Sequence, residues 1–194
     1  ILDISGSMAN SSGYQGMSRM EVMQKSSLEL LDKYDAYGDV KVNIVTFSTS
    51  ATNPTSVWVS VDDAKAIILG LTPTNRTNYD DALNEAIKAF ADSGKLANAQ
   101  NVSYFMSDGL PNESALSGSA ATVPDGSNSL GGGSGIDGEN TSNPYVPTGE
   151  TKDWTDFLKA NDINSFSLGM GTGVTQSALD PIAYNGVTEA NTSS

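Results

Sequence analysis

The sequence predicts an α/β fold in which a doubly wound, mostly parallel central sheet carries helices on both faces. Three observations lead to this prediction. Short apolar runs rich in β-branched residues alternate along the chain with segments of helical periodicity. The chain has 194 residues, which is enough for one domain with its own hydrophobic core. Strands that alternate with helices typically form a parallel sheet that is covered on both sides.

Five apolar runs are predicted to form the strands of this sheet. The clearest is the run Val-Lys-Val-Asn-Ile-Val-Thr-Phe, because β-branched residues dominate it. The first run is short and ends directly before a polar turn that contains glycine. The predicted strands are residues 1–4, 40–47, 57–61, 102–106 and 165–171.

Five helices are predicted between and after these strands. The clearest of them places Ala82, Leu83, Ala86, Ile87 and Phe90 on one face. The second helix is expected to start with an aspartate cap, at position 62 or 63, and to run through position 71 before a proline. The other predicted helices are residues 19–37, 152–160 and 175–183, and the clearest one is residues 79–92.

A segment rich in Gly, Ser, Asn and Thr interrupts this alternation at residues 112–150. We predict a loop insertion there, because so long a stretch without large apolar side chains is usually functional or disordered. Residues 132–137 resemble the first part of a calcium-binding nonapeptide repeat. Asp125, Asp137 and Glu139 are therefore candidates for an additional calcium site, and an accidental glycine-rich loop is the alternative.

Composition excludes several classes of function. Asp and Glu number 23 against 10 Lys and Arg, which gives a net charge of −13 and argues against nucleic-acid binding through a basic face. Histidine and cysteine are both absent, which excludes Cys/His zinc sites and Ser-His-Asp or Cys-His catalysis. A metal site must use oxygen ligands, which suits magnesium, calcium or manganese. No apolar run approaches the ~20 residues that span a bilayer, so no direct membrane insertion is expected.

Oxygen-bearing side chains stand at three places where the predicted fold brings chain segments together. Asp3, Ser5 and Ser7 follow the first strand, where alternate residues of an extended chain share one side and a glycine permits a turn. Asp108 follows the strand 102–106, and Thr77 precedes a helix. Ligands of open α/β sheets bind outside the carboxyl ends of the strands. Asp3, Ser5, Ser7 and Asp108 are therefore candidate metal ligands, together with a threonine hydroxyl from the loop before the helix.

The order Asp-x-Ser-Gly-Ser, then Thr before a helix, then Ser-Asp-Gly after a strand resembles the von Willebrand factor type A domain. That resemblance implies a Rossmann-like fold with a metal-ion-dependent adhesion site. Matched residue by residue, it assigns Asp3, Ser5, Ser7, Thr77 and Asp108 to a divalent cation, Ca²⁺ or Mg²⁺, with Mn²⁺ also compatible. It further implies a protein or glycan partner that presents a carboxylate or another oxygen to the cation.

The second motif has several threonines to choose from. Thr72 and Thr74 lie nearby, but Thr77 fits best because the run that follows it, Asn-Tyr-Asp-Asp-Ala-Leu, resembles the family's entry into its next helix. Asp80 and Asp81 in that run could hold the metal ligands in place without contacting the ion. Alternatively, they could simply stabilise the helix N-terminus, by capping or through the helix dipole.

A rim for the bound partner is predicted around the metal site. Its members adjoin the three motifs along the chain and are Met8, Arg76, Asn78, Leu110 and Asn112.

The wider context is expected to be a bacterial surface protein. We expect residues 1–194 to be a single, monomeric domain, cut from a larger multidomain protein because the chain starts at Ile1. An Asn-x-Thr sequon at residues 75–77 would place a glycan at the site, which favours a source that does not glycosylate it. The acidic, cysteine-free composition resembles modules of large secreted adhesins of the repeats-in-toxin (RTX) type, which implies an extracellular role in adhesion or biofilm formation.

Two other functions remain open at this stage. The ion could merely stabilise a stalk module, with no ligand bridged to it. The chain could also be a magnesium-dependent phosphotransferase, because an Asp after an apolar strand faintly resembles the haloacid-dehalogenase type. Those enzymes need a second Asp two positions on, where this chain has Ser5, so no enzymatic activity is expected.

Overall fold

The computed structural model describes residues 1–109, 149–174, 176–180 and 182–192. The insertion predicted from the composition lies almost wholly outside the described residues. Within them the chain forms a seven-stranded sheet and five α-helices.

Two of the strands are long, and the other five have two residues each. They are β1 (Leu2–Asp3), β2 (Thr46–Phe47), β3 (Ala51–Thr52), β4 (Asn101–Gly109), β5 (Ile163–Gly173), β6 (Tyr184–Asn185) and β7 (Ala190–Asn191). Their order is β3-β2-β1-β4-β5-β6-β7. The β2-β1-β4-β5 centre is parallel, whereas β3, β6 and β7 pair antiparallel to their neighbours. The predicted mostly parallel sheet is confirmed.

The helices connect the strands, and three of them begin at a side-chain cap. They are α1 (Arg19–Asp35), α2 (Val61–Leu69), α3 (Tyr79–Ala89), α4 (Gly149–Ala160) and α5 (Gln176–Leu179), together with a 3₁₀ turn at Gly6–Ala9. Ser18 and Glu21 form a reciprocal capping box that starts α1, and Ser60 caps α2. Of the helices in the described ranges, none combines the length and the apolarity needed to cross a bilayer.

The sheet separates two apolar cores. Neighbouring residues of β4 point to opposite faces, so Phe105 joins one core and Met106 the other. The first core packs α3 and α4 through aromatic side chains that include Tyr79 and Trp154. The second packs α1 and α2 and is rich in methionine: Met8, Met20, Met23 and Met106. Helices therefore cover both faces, as the sequence predicted.

Some element boundaries differ from the prediction. Residues 57–61 form no strand; Val59 makes one isolated bridge to Val42, and α2 already begins at Val61. Ser60 caps α2 in place of Asp62 or Asp63, which lie in its first turn. The helix predicted at 175–183 is reduced to the single turn of α5. The antiparallel edge strands β3, β6 and β7 were not predicted, because two-residue strands leave no periodic pattern.

The topology brings the carboxyl ends of two central strands together. From β1 the chain first builds the β2–β3 side of the sheet and then returns to place β4 on the other flank of β1. Met106 donates to the carbonyl of Ile1, and Leu2 donates to the carbonyl of Val45. The order in which strands are added therefore reverses at β1, which makes the carboxyl end of β1 a topological switch point. Open α/β sheets bind ligands at such a point.

Candidate functional site

Asp3 ends β1 and lies fully buried at this switch point. Its Oδ1 accepts a hydrogen bond from the Ser5 amide at 2.7 Å, and its Oδ2 accepts one from Ser107 Oγ at 2.6 Å. Burial raises the pKa of Asp3 to about 6, and the nearby charge of Asp108 adds to the effect, while the hydrogen bonds oppose it. The carboxylate is therefore held in place by uncharged donors that do not fully replace its lost hydration.

Asp108 occupies the matching position at the end of β4 and is also fully buried. Ser7 Oγ donates to its Oδ1 at 2.7 Å, and the hydroxyls of Ser5 and Ser7 lie 3.1 Å apart. Arg19 Nη1 donates to its Oδ2 at 2.7 Å. A continuous chain of short contacts thus joins Asp3, Ser5, Ser7 and Asp108, so the structure brings together the first and third predicted motifs.

Arg19 is the functional residue that the sequence reasoning missed. It is the first residue of α1, and its guanidinium lies across two glycines of β5. Two features of Gly171 require glycine. A Cβ there would stand 2.8 Å from Arg19 Nε, and the φ of +97° is a backbone conformation that other residues rarely adopt. A usable signal did exist, because the chain has only two arginines, Arg19 and Arg76, and both belong to site segments.

The second motif is tied to the first by the backbone. Thr74 N–H donates to the carbonyl of Ile4 at 2.6 Å, and Gly6 N–H donates to the carbonyl of Asn75 at 2.9 Å. A Cβ on Gly6 would lie only 3.1 Å from that carbonyl, which is why glycine suits this position. Thr77 is buried on the same loop, just ahead of the α3 cap. The loop that carries Thr77 therefore packs against the turn that carries Ser5 and Ser7.

The predicted rim needs correction at two positions. Met8 is fully buried in the methionine-rich core, because the 3₁₀ turn directs it inward. Asn78 is also fully buried; its Oδ1 accepts from the Asp81 amide as the N-cap of α3, and its Nδ2 donates to the carbonyl of Thr49. Arg76 is exposed, as a rim residue would be. The remaining rim candidates, Leu110 and Asn112, and the calcium candidates Asp125, Asp137 and Glu139 lie outside the described residues.

Asp80 and Asp81 lie in the first turn of α3, where negative charge interacts favourably with the positive end of the helix dipole. Asp81 also accepts a hydrogen bond from the Ala51 amide at 2.6 Å. It therefore anchors the edge strand β3 to the helix, a structural role.

Comparison with known proteins identifies the family. The model of the von Willebrand factor type A domain matches residues 1–110, which include all three motifs. The chain belongs to the von Willebrand factor type A family. No curated protein matches the chain.

Several solved structures share this fold at low sequence identity. The vWF domain of the type V pili tip protein Mfa5 from Porphyromonas gingivalis superposes with a TM-score of 0.61 at 16% identity, covering 95% of this chain and 85% of that one. The PilB minor pilin from Streptococcus sanguinis gives 0.60 at 21% identity, with 94% of this chain covered. BatB from Bacteroides thetaiotaomicron gives 0.55 at 19%, covering 87% of this chain and 63% of that one. This chain spans 53% of PilB, about half its length.

The donor chemistry of this site is compatible with a hard divalent cation. Two buried carboxylates and the hydroxyls of Ser5 and Ser7 offer oxygen atoms only. Within the described ranges, no cluster of three or more Asp, Glu, His or Cys could hold a metal, so a strongly anionic cage is absent from that part of the chain. The set fits an ion that keeps water or an external oxygen among its ligands.

Proposed function

We propose that this type A domain is a metal-dependent ligand-binding module. Asp3, Ser5, Ser7, Thr77 and Asp108 would hold one Ca²⁺ or Mg²⁺, with Mn²⁺ able to substitute. When bound, the cation supplies a Lewis-acidic position that an oxygen of a partner can occupy. The observation that carries the proposal is the set of hydrogen bonds between the ends of two neighbouring strands. Ser107 donates to Asp3, Ser7 donates to Asp108, and the hydroxyls of Ser5 and Ser7 are in contact.

The partner that fits this site is a carboxylate on a protein or a glycan. Hydroxyl donors contribute no charge, so the two carboxylates at most neutralise a divalent ion, and the ion can still accept an anionic oxygen as a further ligand. The net charge of −13 does not oppose such a ligand, because physiological salt screens surface charge beyond about 8 Å. We propose an extracellular position on a bacterial surface, where a weak calcium site would still be filled. The vWF domain of the pili tip protein Mfa5 and the PilB minor pilin, which share the fold, support that setting by analogy.

A paramagnetic probe tests both metal binding and ligand binding. Mn²⁺ would be titrated into the protein, and the relaxation of acetate methyl protons would be measured as the probe of a bridged carboxylate. We expect wild-type protein to bind Mn²⁺ and to bring acetate into the first coordination sphere. Asp3→Ala should lose both effects while keeping the far-ultraviolet circular dichroism of the fold.

The control variant is Asp62→Ala, which removes one exposed carboxylate from the first turn of α2, away from the site. It should bind Mn²⁺ and acetate as wild type does. Wild-type protein that binds no divalent ion would contradict the proposal. Wild-type protein that binds the ion, gains thermal stability and leaves acetate unrelaxed would favour a purely stabilising ion, the second function left open by the sequence.

A further inference from the structure

We propose that Arg19 sets the charge of the metal site, as a permanent cation paired with Asp108. In this role it weakens the affinity of the site for divalent ions and makes the loaded site select an anionic ligand. The inference rests on the proposed metal-dependent function and adds a specificity residue to it.

The pairing is direct and sheltered from solvent. Arg19 Nη1 lies 2.7 Å from Asp108 Oδ2, and the two side chains are 15% and 0% exposed. A pair at this depth is poorly screened by salt. Arginine, unlike lysine, presents its charge on a rigid planar guanidinium, which suits a buried pair with a carboxylate.

The position of the guanidinium is built into the fold. The capping box of Ser18 and Glu21 fixes the start of α1, and Arg19 is the next residue after that cap. Gly171 and Gly173 of β5 leave the space that the guanidinium fills, and a Cβ at Gly173 would also stand 2.8 Å from the Asp108 carbonyl. Arg19 Nε is buried without a hydrogen-bond partner in the described part of the chain. The side chain therefore sits where it neutralises Asp108, even though one of its donors goes unused.

The consequence follows from counting charges. With both carboxylates ionised, Asp3, Asp108 and Arg19 together leave one negative charge in the site. A divalent ion turns this into one positive charge, whereas the same ion would be neutralised if Arg19 were absent. The ion is thus held less tightly, and the loaded site attracts an anionic oxygen more strongly than a neutral hydroxyl.

Arg19→Gln tests the inference against Arg19→Lys, which keeps the charge, and Lys65→Gln, which removes an exposed positive charge paired with Asp32. Mg²⁺ and Ca²⁺ affinities would be measured by calorimetry, and acetate would be titrated into Mn²⁺-saturated protein. We expect Arg19→Gln to bind the metals on the order of tenfold more tightly and acetate several-fold more weakly, because one unit charge at close range is removed. Arg19→Lys should remain near wild type, and Lys65→Gln should be indistinguishable from it.

Folding is followed in parallel by urea unfolding in EDTA. Arg19→Gln should be less stable than wild type without metal and should gain more from Mg²⁺, because its Asp108 has lost the counter-charge. Metal affinity that is unchanged or weaker in Arg19→Gln would overturn the inference and leave Arg19 a structural anchor. Wild-type protein that binds no metal would instead overturn the proposed function, and this inference with it.

Discussion

Two carboxylates end neighbouring strands of this sheet, and their surroundings differ. Asp3, at the end of β1, is held by a backbone amide and a serine hydroxyl, which carry no net charge. Asp108, at the end of β4, is held by a serine hydroxyl and a guanidinium. Both are fully buried, yet within the described part of the chain only Asp108 is paired with a cationic side chain. The metal-free site therefore contains one satisfied charge and one that is costly to maintain.

This difference assigns distinct roles to the two strand ends. Hydrogen bonds orient Asp3 without neutralising it, and burial raises its pKa. A cation bound as we propose would relieve that cost, and Asp3 would then supply the main electrostatic attraction for the metal. Arg19 already neutralises the charge of Asp108, so Asp108 would contribute to metal binding mainly by placing an oxygen atom at the site. Each of the following experiments alters one side of this comparison.

The largest effect is expected from Asp108→Ala in metal-free protein. The substitution leaves the Arg19 guanidinium largely buried without its counter-charge, and breaking a buried pair in this way costs about 3 kcal/mol or more. Urea unfolding in EDTA measures the loss. The double variant Arg19→Gln with Asp108→Asn should recover a substantial part of it, because neither charge then remains unpaired. Equal stability of Asp108→Ala and wild type would show that the pair contributes nothing to folding.

A pH dependence is expected from Asp3. Burial raises its pKa to about 6 in the folded protein, from an ordinary value of 3.8, so the folded state binds this proton more tightly than the unfolded state does. The free energy of unfolding in EDTA should therefore fall as pH rises from about 4 to 6, by up to about 3 kcal/mol for this group. Below pH 4 the penalty is absent, and above pH 6 it is fully present.

Asp3→Asn isolates this contribution from those of the other acids. The variant should show a flatter stability profile between pH 4 and 6 and should be at least as stable as wild type at pH 7 in EDTA. Identical profiles for the two proteins would contradict the assignment.

Much of the fold could be predicted because long elements leave periodic patterns. The run from 102 to 106 predicted β4, and the apolar face of 79–92 predicted α3, each correct to within a few residues. The two-residue strands β3, β6 and β7 were missed, because their existence depends on the neighbour they pair with. Ser60 was passed over as a cap in favour of the aspartates that follow it, since all three are good capping residues.

The candidate site was predictable in its ligand types and only partly in its surroundings. Spacing and strand ends indicated that Asp3, Ser5, Ser7 and Asp108 would meet, and the structure places them in one hydrogen-bonded chain. Arg19 escaped prediction because its contact to Asp108 spans 89 residues of sequence. Met8 was misplaced because a residue next to a motif serine looks like a rim residue until the 3₁₀ turn is known to bury it.

The smallest expected effect concerns the hydrogen bond that anchors Gly109, the residue after Asp108. Tyr79, on α3, donates from its hydroxyl to the Gly109 carbonyl at 2.6 Å, and burial raises its pKa well above the ordinary value, so it stays a donor. Tyr79→Phe should cost about 1 kcal/mol in urea unfolding and weaken Mg²⁺ binding a few-fold, because the end of β4 loses an anchor. Tyr34→Phe is the matched control: its hydroxyl contacts that of Tyr104 at an exposed position, so stability and Mg²⁺ affinity should hardly change. If both variants bound Mg²⁺ as wild type does, the position of Asp108 would not depend on the Gly109 anchor, and Arg19 with Ser7 would suffice to hold it.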